Sequence, residues 1–171
     1  MEEARDLTLY EEDFYGKKEA HENTRNLVVF RLANEWYGVE ITEVREVVNF
    51  EKLFYLPSSP EHIAGIFNLR GNILSVTDLK KVFGLPPEEL TEHSRLVVVS
   101  FGNFETALLV DEVTEPQEVP VSGISPALAT IAPEKAEYLT GAVHVGRKFI
   151  GILKVEKIFR IGGETREGGS V

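Results

Sequence analysis

IAGIFNLRGNILSVTDL, the stretch at residues 63–79, contains two short strand patterns joined by a tight turn. The candidate strands run from Gly65 to Leu69 and from Asn72 to Val76, and both are rich in branched apolar side chains. The turn between them contains Gly71-Asn72, and Gly and Asn tolerate the positive φ that a tight hairpin requires. The stretch therefore predicts a β-hairpin.

A short helix is predicted directly after this hairpin. Thr77 or Asp78 can accept hydrogen bonds from the free N–H groups of its first turn, and Gly84 ends it. A second short helix is predicted from Glu156 to Arg160. The apolar stripe of the first helix consists of Leu79, Val82 and Phe83.

Outside the hairpin, the chain continues as a succession of short β-branched segments. Their lengths and spacing suit a small barrel better than a sheet wound with helices, which predicts a mainly β, all-β fold class with short helices. The further candidate strands are Leu27 to Leu32, Trp36 to Ile41, Val44 to Phe50, Arg95 to Phe101, Glu105 to Val110, Val113 to Val119, Leu139 to Val145 and Lys148 to Val155.

A faint internal duplication relates some of these segments. Residues 41–46 (ITEVRE) line up with residues 110–115 (VDEVTE), and residues 73–79 resemble residues 152–158. In the first pair the apolar spacing changes from two to three, which calls for a bulge or a sharp bend. Strand patterns recur by chance in all-β proteins, but two matches in the same order favour a pair of related β-subdomains.

Composition limits the classes of protein to which the chain can belong. A net charge of −10 opposes binding to nucleic acid, because a partner made of phosphates must be met by a local surplus of Lys and Arg. The basic pairs Lys17-Lys18, Lys80-Lys81 and Arg147-Lys148 are interpreted as solvated surface charge. With no cysteine and no long apolar run, we expect a cytoplasmic protein without direct membrane insertion.

Both ends of the chain differ in composition from the body. Residues 1–25 carry eight Asp or Glu, four Lys or Arg and no sustained apolar period, so they are expected to form a mobile acidic arm. Residues 161–171 are rich in glycine and charge, which predicts a disordered tail. The folded domain is therefore expected at residues 26–160.

Few residues are candidates for catalysis or metal binding. The four histidines lie far apart, and no nucleophile elbow, phosphate-binding loop or dinucleotide fingerprint is present, so no cofactor and no metal are expected. A carboxylate pair could act as in hydrolases. However, Glu40, Glu43 and Glu46 stand beside apolar strand positions, where charges ordinarily form the solvated face. We therefore expect a protein that is not an enzyme, with a carboxylate hydrolase as a remote alternative.

The segment at residues 63–79 closely resembles the CheW family of chemotaxis adaptors, whose members share the pattern I-x-G-x-x-N-L-R-G-x-I-x-P-V-x-D-L. Ser75 departs from this pattern, which usually has proline there, and we expect only a local effect. The resemblance covers about residues 25 to 160. Supporting matches in family order are residues 37–41 (YGVEI), 44–47 (VREV), 109–113 (LVDEV) and 137–141 (EYLTG).

This resemblance implies a fold and a set of partners. The fold is two small five-stranded SH3-like β-barrels that interleave around a shared core, in agreement with the duplication. The partners are the cytoplasmic tip of a methyl-accepting chemoreceptor and the regulatory domain of the histidine kinase CheA. The resemblance therefore implies a non-enzymatic adaptor that is recruited to membrane-associated receptor arrays. The output could be flagellar chemotaxis, or twitching or another response.

The resemblance also suggests which residues bind the receptor. The expected receptor-binding residues include Asn68, Arg70 and Glu46. Arg70, in the turn that starts at Asn68, is expected to reach across to Glu46 and form an ion pair. Around this pair we expect an apolar groove for the tip of a receptor helical hairpin, although the same side chains could belong to the core. The kinase is expected to dock elsewhere, on a face that the sequence does not assign. The residues expected to line the groove are Ile41, Val44, Val47, Leu96 and Val98.

Overall fold

The computed structural model describes residues 23–126 and 131–161 of the chain. Most of the predicted arm and nearly all of the predicted tail lie outside the described residues. The eleven strands in this part are β1 (Thr24–Leu32), β2 (Glu35–Glu40), β3 (Val44–Asn49), β4 (Ile63–Leu69), β5 (Asn72–Thr77), β6 (Arg95–Phe101), β7 (Phe104–Val110), β8 (Glu112–Val113), β9 (Gln117–Pro120), β10 (Leu139–Val145) and β11 (Lys148–Leu153).

Short helices complete the described part of the chain. The three α-helices are α1 (Leu79–Phe83), α2 (Pro133–Ala136) and α3 (Val155–Phe159), and 3-10 turns span Ile41–Glu43 and Val121–Gly123. The predicted helix after the central hairpin is confirmed, with Asp78 accepting a hydrogen bond from the Lys80 N–H at 3.0 Å. None of the described helices is long and apolar enough to cross a membrane.

The chain is mainly β, as predicted, and its strands form two sheets of matching order. Sheet A has the order β10-β11-β2-β1-β8, with β9 also paired to β1, and sheet B has the order β4-β5-β7-β6-β3. Each sheet contains one parallel pair, β11 with β2 in sheet A and β5 with β7 in sheet B. Neither sheet closes completely among the described strands, so each forms an open SH3-like barrel.

Sheet A has six strands because one predicted strand is divided. The segment predicted to run from Val113 to Val119 forms β8 and β9, with Pro116 in the gap between them. Proline has no N–H to donate to a ladder, so it interrupts the pairing with β1.

The duplication is present, but one of its two predicted registers is wrong. The match of residues 41–46 with residues 110–115 agrees with the structure. These two segments lie 69 residues apart, and so do Glu35 and Phe104, the first residues of β2 and β7 in the two equivalent hairpins. The second match is displaced by three residues, since β11 and α3 each begin 76 residues after β5 and α1. Leu79 therefore corresponds to Val155 and not to Ile158, and the branched apolar runs concealed this shift.

Both sheets contain the same bulge next to the same bridge. The pairing of β4 with β5 shifts register before Gly65, and the pairing of β10 with β11 shifts before Gly141. One residue after each glycine, an isolated pair of backbone hydrogen bonds joins the strand to the preceding loop, at Phe54 with Ile66 and at Ser125 with Ala142. These bridges bring the open side of each barrel closer to closure.

A shared core joins the two barrels. The largest buried cluster takes Phe30, Leu32 and Val39 from sheet A and Val97, Val99 and Leu108 from sheet B, together with α1 and α3. Two smaller clusters fill the interiors of the individual barrels. Ile161, at the start of the predicted tail, also packs against the shared core, and β1 begins inside the predicted arm.

A buried ion pair crosses the boundary between the barrels. The Lys80 Nζ lies 2.6 Å from Asp111 Oδ1, and both side chains are at least 95% buried. The other Asp111 oxygen, Oδ2, accepts a hydrogen bond of 2.7 Å from the Ala33 N–H in the β1–β2 turn. The interpretation of Lys80 as solvated surface charge is therefore wrong, because one face of α1 is covered by the neighbouring subdomain.

Candidate functional site

The predicted ion pair between Arg70 and Glu46 is present on the surface of sheet B. Both guanidinium end nitrogens of Arg70 bind both carboxylate oxygens of Glu46, at 2.8 and 2.9 Å. Glu46 lies on the edge strand β3, and Arg70 lies on the β4–β5 turn at the opposite edge of the same sheet. The pair therefore spans the open side of the barrel, while the Arg70 side chain stays 74% exposed.

The turn holds Arg70 in an unusual backbone conformation. Arg70 has a φ of +50° and Gly71 a φ of +92°, because only two residues connect the paired positions Leu69 and Asn72. Asn68 does not bind Arg70 but steadies the turn, since its Oδ1 accepts a hydrogen bond of 2.9 Å from the Gly71 N–H. A left-handed conformation disfavours a residue with a Cβ atom, so the turn would form more easily with glycine or asparagine at position 70.

Exposed apolar side chains lie close to Glu46 in the sequence. Ile41, in the 3-10 turn before β3, is 44% exposed, and Val47 is 41% exposed. Val44 is half-buried and packs against the shared core. Val47 and Glu46 lie on opposite faces of β3, because successive side chains of a strand alternate.

Leu96 and Val98 belong to the core and do not line an exposed groove. Both are fully buried in the interior of sheet B, where they pack with Phe67, Val76 and Ala107. Strand β6 is covered on both faces, since Val97 and Val99 point into the shared core. Because β6 is a central strand between two cores, neither face of its apolar stretch meets solvent, which leaves the alternative that these side chains belong to the core.

The sequence predicted that Glu43 lies on a solvated face, but its side chain is half-buried in the structure. Its Oε2 atom is buried and has no hydrogen-bond partner in the described part of the protein. Burial, and secondarily the negative charge of Glu40, raises the pKa of the Glu43 carboxyl group above its usual value. This carboxyl group borders a cleft of about 500 Å³ that is lined mainly by sheet A and α3, with Phe101 contributed by sheet B.

A second cleft of about 510 Å³ lies on sheet A, next to the β1–β2 turn. Its walls include Trp36, Tyr37 and Phe149, and Phe149 is 45% exposed. Glu35 accepts hydrogen bonds from the Tyr37 hydroxyl and from Lys135 Nζ at this cleft. Lys148 Nζ lies 4.0 Å from the centre of the Trp36 ring, so the surface combines aromatic faces with cations.

The described residues offer no group of three His, Cys, Asp or Glu side chains that could hold a metal ion. The cleft beside Glu43 also lacks a free carboxylate pair. Glu40 is bound by Arg25, and Glu156 by Arg160 at 2.7 Å. The arrangement of this cleft therefore suits binding better than acid-base catalysis.

Sequence reasoning missed the burial of Lys80 and of the Glu43 Oε2 atom. Lys80 precedes Phe83 by three residues, so helical spacing already brings it to the edge of the apolar stripe of α1. For Glu43 the available signal was the change of apolar period between Ile41 and Val44, which marks a turn and not a continuous strand.

Comparisons with known proteins agree with this fold. A family model described as the CheW-like domain matches residues 26–162. The crystal structure of the scaffolding protein TtCheW from Thermoanaerobacter tengcongensis superposes with a TM-score of 0.76 and 34% sequence identity, covering 84% of this chain and 97% of that one. The chemotaxis protein CheW of Klebsiella aerogenes is 28% identical over 134 residues, which are 78% of this chain and 81% of that protein. A probable chemotaxis protein CheW of Rhizobium etli is 26% identical over 145 residues, covering 85% and 94%.

Proposed function

The chain belongs to the CheW-like family of chemotaxis scaffolds, and from that premise we propose that it couples a methyl-accepting chemoreceptor to the histidine kinase CheA. It would do so by binding both proteins, without transforming a substrate. The receptor tip would bind around the Arg70–Glu46 pair and the exposed Ile41, and it would contact Val47 over the outer edge of strand β3.

The observation that carries this proposal is the conformation of Arg70. An arginine in a left-handed turn costs the fold about 1 kcal/mol relative to glycine, and its exposed ion pair returns only about 0 to 1 kcal/mol. Stability therefore gives little reason for an arginine at this position. A guanidinium group held by a bidentate pair, with the exposed Ile41 five residues before its partner Glu46, is suited to a protein contact.

An adaptor needs a second surface for its second partner. The cleft beside Trp36 and Phe149 lies on sheet A, whereas Arg70 lies on sheet B, so the two surfaces belong to different subdomains. We propose that the kinase regulatory domain binds at this second cleft, where aromatic faces and cations are both available. Two partners could then be held at the same time.

Binding measurements with Arg70→Ala test the receptor contact. We expect the variant to lose binding to a receptor tip fragment by at least about tenfold, because the ion pair and its guanidinium are removed. Its melting temperature should stay close to that of the wild type, and its affinity for the kinase regulatory domain should be unchanged. Receptor binding at wild-type affinity would refute the assignment of Arg70.

Two matched variants separate the surfaces. Lys135→Ala also removes the cation of an ion pair, but on sheet A, so receptor binding should not change. Phe149→Ser removes an exposed aromatic ring from the second cleft and should weaken kinase binding only. If Phe149→Ser left kinase affinity intact, the second surface would be wrong while the first could still stand.

A further inference from the structure

We infer that the cleft beside Glu43 receives a basic side chain from the chemoreceptor, so that a Lys or Arg of the partner completes an ion pair that this chain leaves unfinished. The inference rests on the proposed function, because it adds a recognition element to the same receptor surface. It starts from the buried Glu43 Oε2 atom, which has no hydrogen-bond partner among the described residues. A buried carboxylate oxygen without a partner costs free energy that a bound cation would recover.

The other half of the molecule shows how the equivalent carboxylate is satisfied. The two hairpins are related by a spacing of 69 residues, so Glu43 corresponds to Glu112. Arg31 of β1 binds Glu112 at 3.2 Å. The position in β6 that corresponds to Arg31 is Ser100, which carries no charge. The cation that neutralises Glu112 is therefore replaced by a neutral serine at the position that would serve Glu43.

The other charges at the cleft are already engaged or do not reach Glu43. Arg25 binds Glu40, and Arg160 binds Glu156. Lys154 also borders the cleft, but it forms no ion pair with Glu43. The Glu43 carboxylate is thus the group at this cleft that a cation from outside could neutralise.

The walls of the cleft are suited to a protein side chain with an apolar stem. Phe101 and Val121 line the cleft and are 39% and 38% exposed, and the stems of Lys and Arg pack well on such surfaces. Glu43 and the exposed Ile41 share one 3-10 turn, and Glu46 follows in β3. The shared turn places the cleft next to Ile41 of the receptor surface. Because most of the other walls of the cleft belong to sheet A, the receptor surface extends across the boundary between the barrels at this turn.

The first test compares Glu43→Gln with Glu118→Gln, which removes the same charge from an exposed position in β9. Glu43→Gln should bind a receptor tip fragment about tenfold more weakly, and Glu118→Gln should bind like the wild type. Glu43→Gln should also melt at the same or a higher temperature, since a neutral amide is easier to bury. Weaker binding together with a lower melting temperature would instead indicate a structural role for Glu43, with Lys154 as its partner in solution, and would overturn the inference.

The second test locates the basic side chain on the receptor. Each Lys and Arg of the tip fragment is replaced by Gln in turn and combined with Glu43→Gln in a double-mutant cycle. One receptor variant should lose about tenfold in affinity alone and nothing further in combination. Additive losses for every basic residue would refute a pair with Glu43. If Arg70→Ala abolishes binding while Glu43→Gln binds normally, this inference fails and the proposed function survives; if Arg70→Ala binds normally, the proposed function itself fails.

Discussion

At the scale of single residues, the left-handed backbone conformation of Arg70 allows its contribution to stability to be measured separately from its contribution to binding. Because φ is +50° at Arg70 and +92° at Gly71, an Asn-Gly pair would suit this turn better than Arg-Gly. Arg70→Asn should therefore match or exceed the wild-type stability, by up to about 1 kcal/mol, while losing receptor affinity. Thermal melting and a receptor-tip binding assay check both halves. A melting temperature several degrees lower would mean that the ion pair stabilises the fold.

The buried pair of Lys80 and Asp111 should behave in the opposite way. Lys80→Met leaves the Asp111 carboxylate buried without a cation and should lower the free energy of unfolding by about 3–5 kcal/mol. Lys80→Met with Asp111→Asn should recover more than half of that loss, because the amide oxygen can still accept from the Ala33 N–H. Urea denaturation of both variants measures these differences. A double variant less stable than Lys80→Met would show that the charge on Asp111 is needed for another reason.

Glu43 gives stability a specific dependence on pH. Its pKa is raised above the usual 4.5, so between 4.5 and the raised value the folded state binds more protons than the unfolded state. Stability therefore decreases as pH rises through this interval, and Glu43→Gln does not share the decrease. The stability advantage of Glu43→Gln should grow from pH 4.5 to pH 7 in urea denaturation. A difference that stays constant with pH would show that the raised pKa does not contribute.

The sequence predicted the position of a site residue where the backbone conformation at that position requires particular residue types. The turn from Asn68 to Gly71 could be located because its backbone needs particular residue types. The burial of Leu96 and Val98 did have a local signal, because residues 96–99 form a continuous apolar run, which is typical of a strand covered on both faces. The environments of Lys80 and Glu43 depend on which distant segments cover them, and no local pattern carries that information.

At the scale of elements, each barrel bends at one glycine, which is Gly65 in sheet B and Gly141 in sheet A. A Cβ atom at Gly65 would lie 2.6 Å from the Phe54 carbonyl oxygen, and one at Gly141 would lie 2.5 Å from the Ser125 carbonyl oxygen. These are the equivalent bulges of the two sheets, so the close approach of backbone to backbone occurs twice. Strand positions were predicted well by turn chemistry, but these approaches arise from loops that the sequence does not position.

Alanine at either bulge should destabilise the fold by about 1–3 kcal/mol, because the clash involves backbone that cannot move aside. Gly146→Ala provides a control for the conformational cost alone, since Gly146 has a φ of +59° and no atom within 4 Å of an added Cβ. It should cost about 1 kcal/mol. Chemical denaturation of Gly65→Ala, Gly141→Ala and Gly146→Ala tests the order. If Gly146→Ala lowered the free energy of unfolding most, a steric clash with the loop backbone would not explain why glycine is needed at the two bulges.

At the scale of the whole molecule, the shared core makes the two barrels depend on each other. Phe30 and Val39 of sheet A pack with Val97 and Leu108 of sheet B in one cluster, so neither sheet can separate without exposing it. The duplication predicted two related subdomains, but it did not predict how much of the core lies between them. That arrangement follows from helices α1 and α3, which pack at the boundary.

We therefore expect one cooperative unfolding transition. Trp36, the single tryptophan, reports on sheet A by fluorescence, and the amides of Val97 and Val99 report on sheet B by hydrogen exchange. Both probes should give the same free energy of unfolding, as two-state behaviour requires. Separate values for the two sheets would indicate independent folding units.

The strand order also fixes when each barrel can assemble during synthesis. Sheet B is built from one unbroken stretch, Val44 to Val110, whereas β1 and β2 of sheet A must wait for β8 to β11. The β1–β2 hairpin leaves the ribosome before the other strands of sheet A. It can therefore pack against the completed sheet B before β8 to β11 have been synthesised. The strands made later, β8 to β11, then pair with a hairpin that is already in place, and α3 packs against the shared core after them.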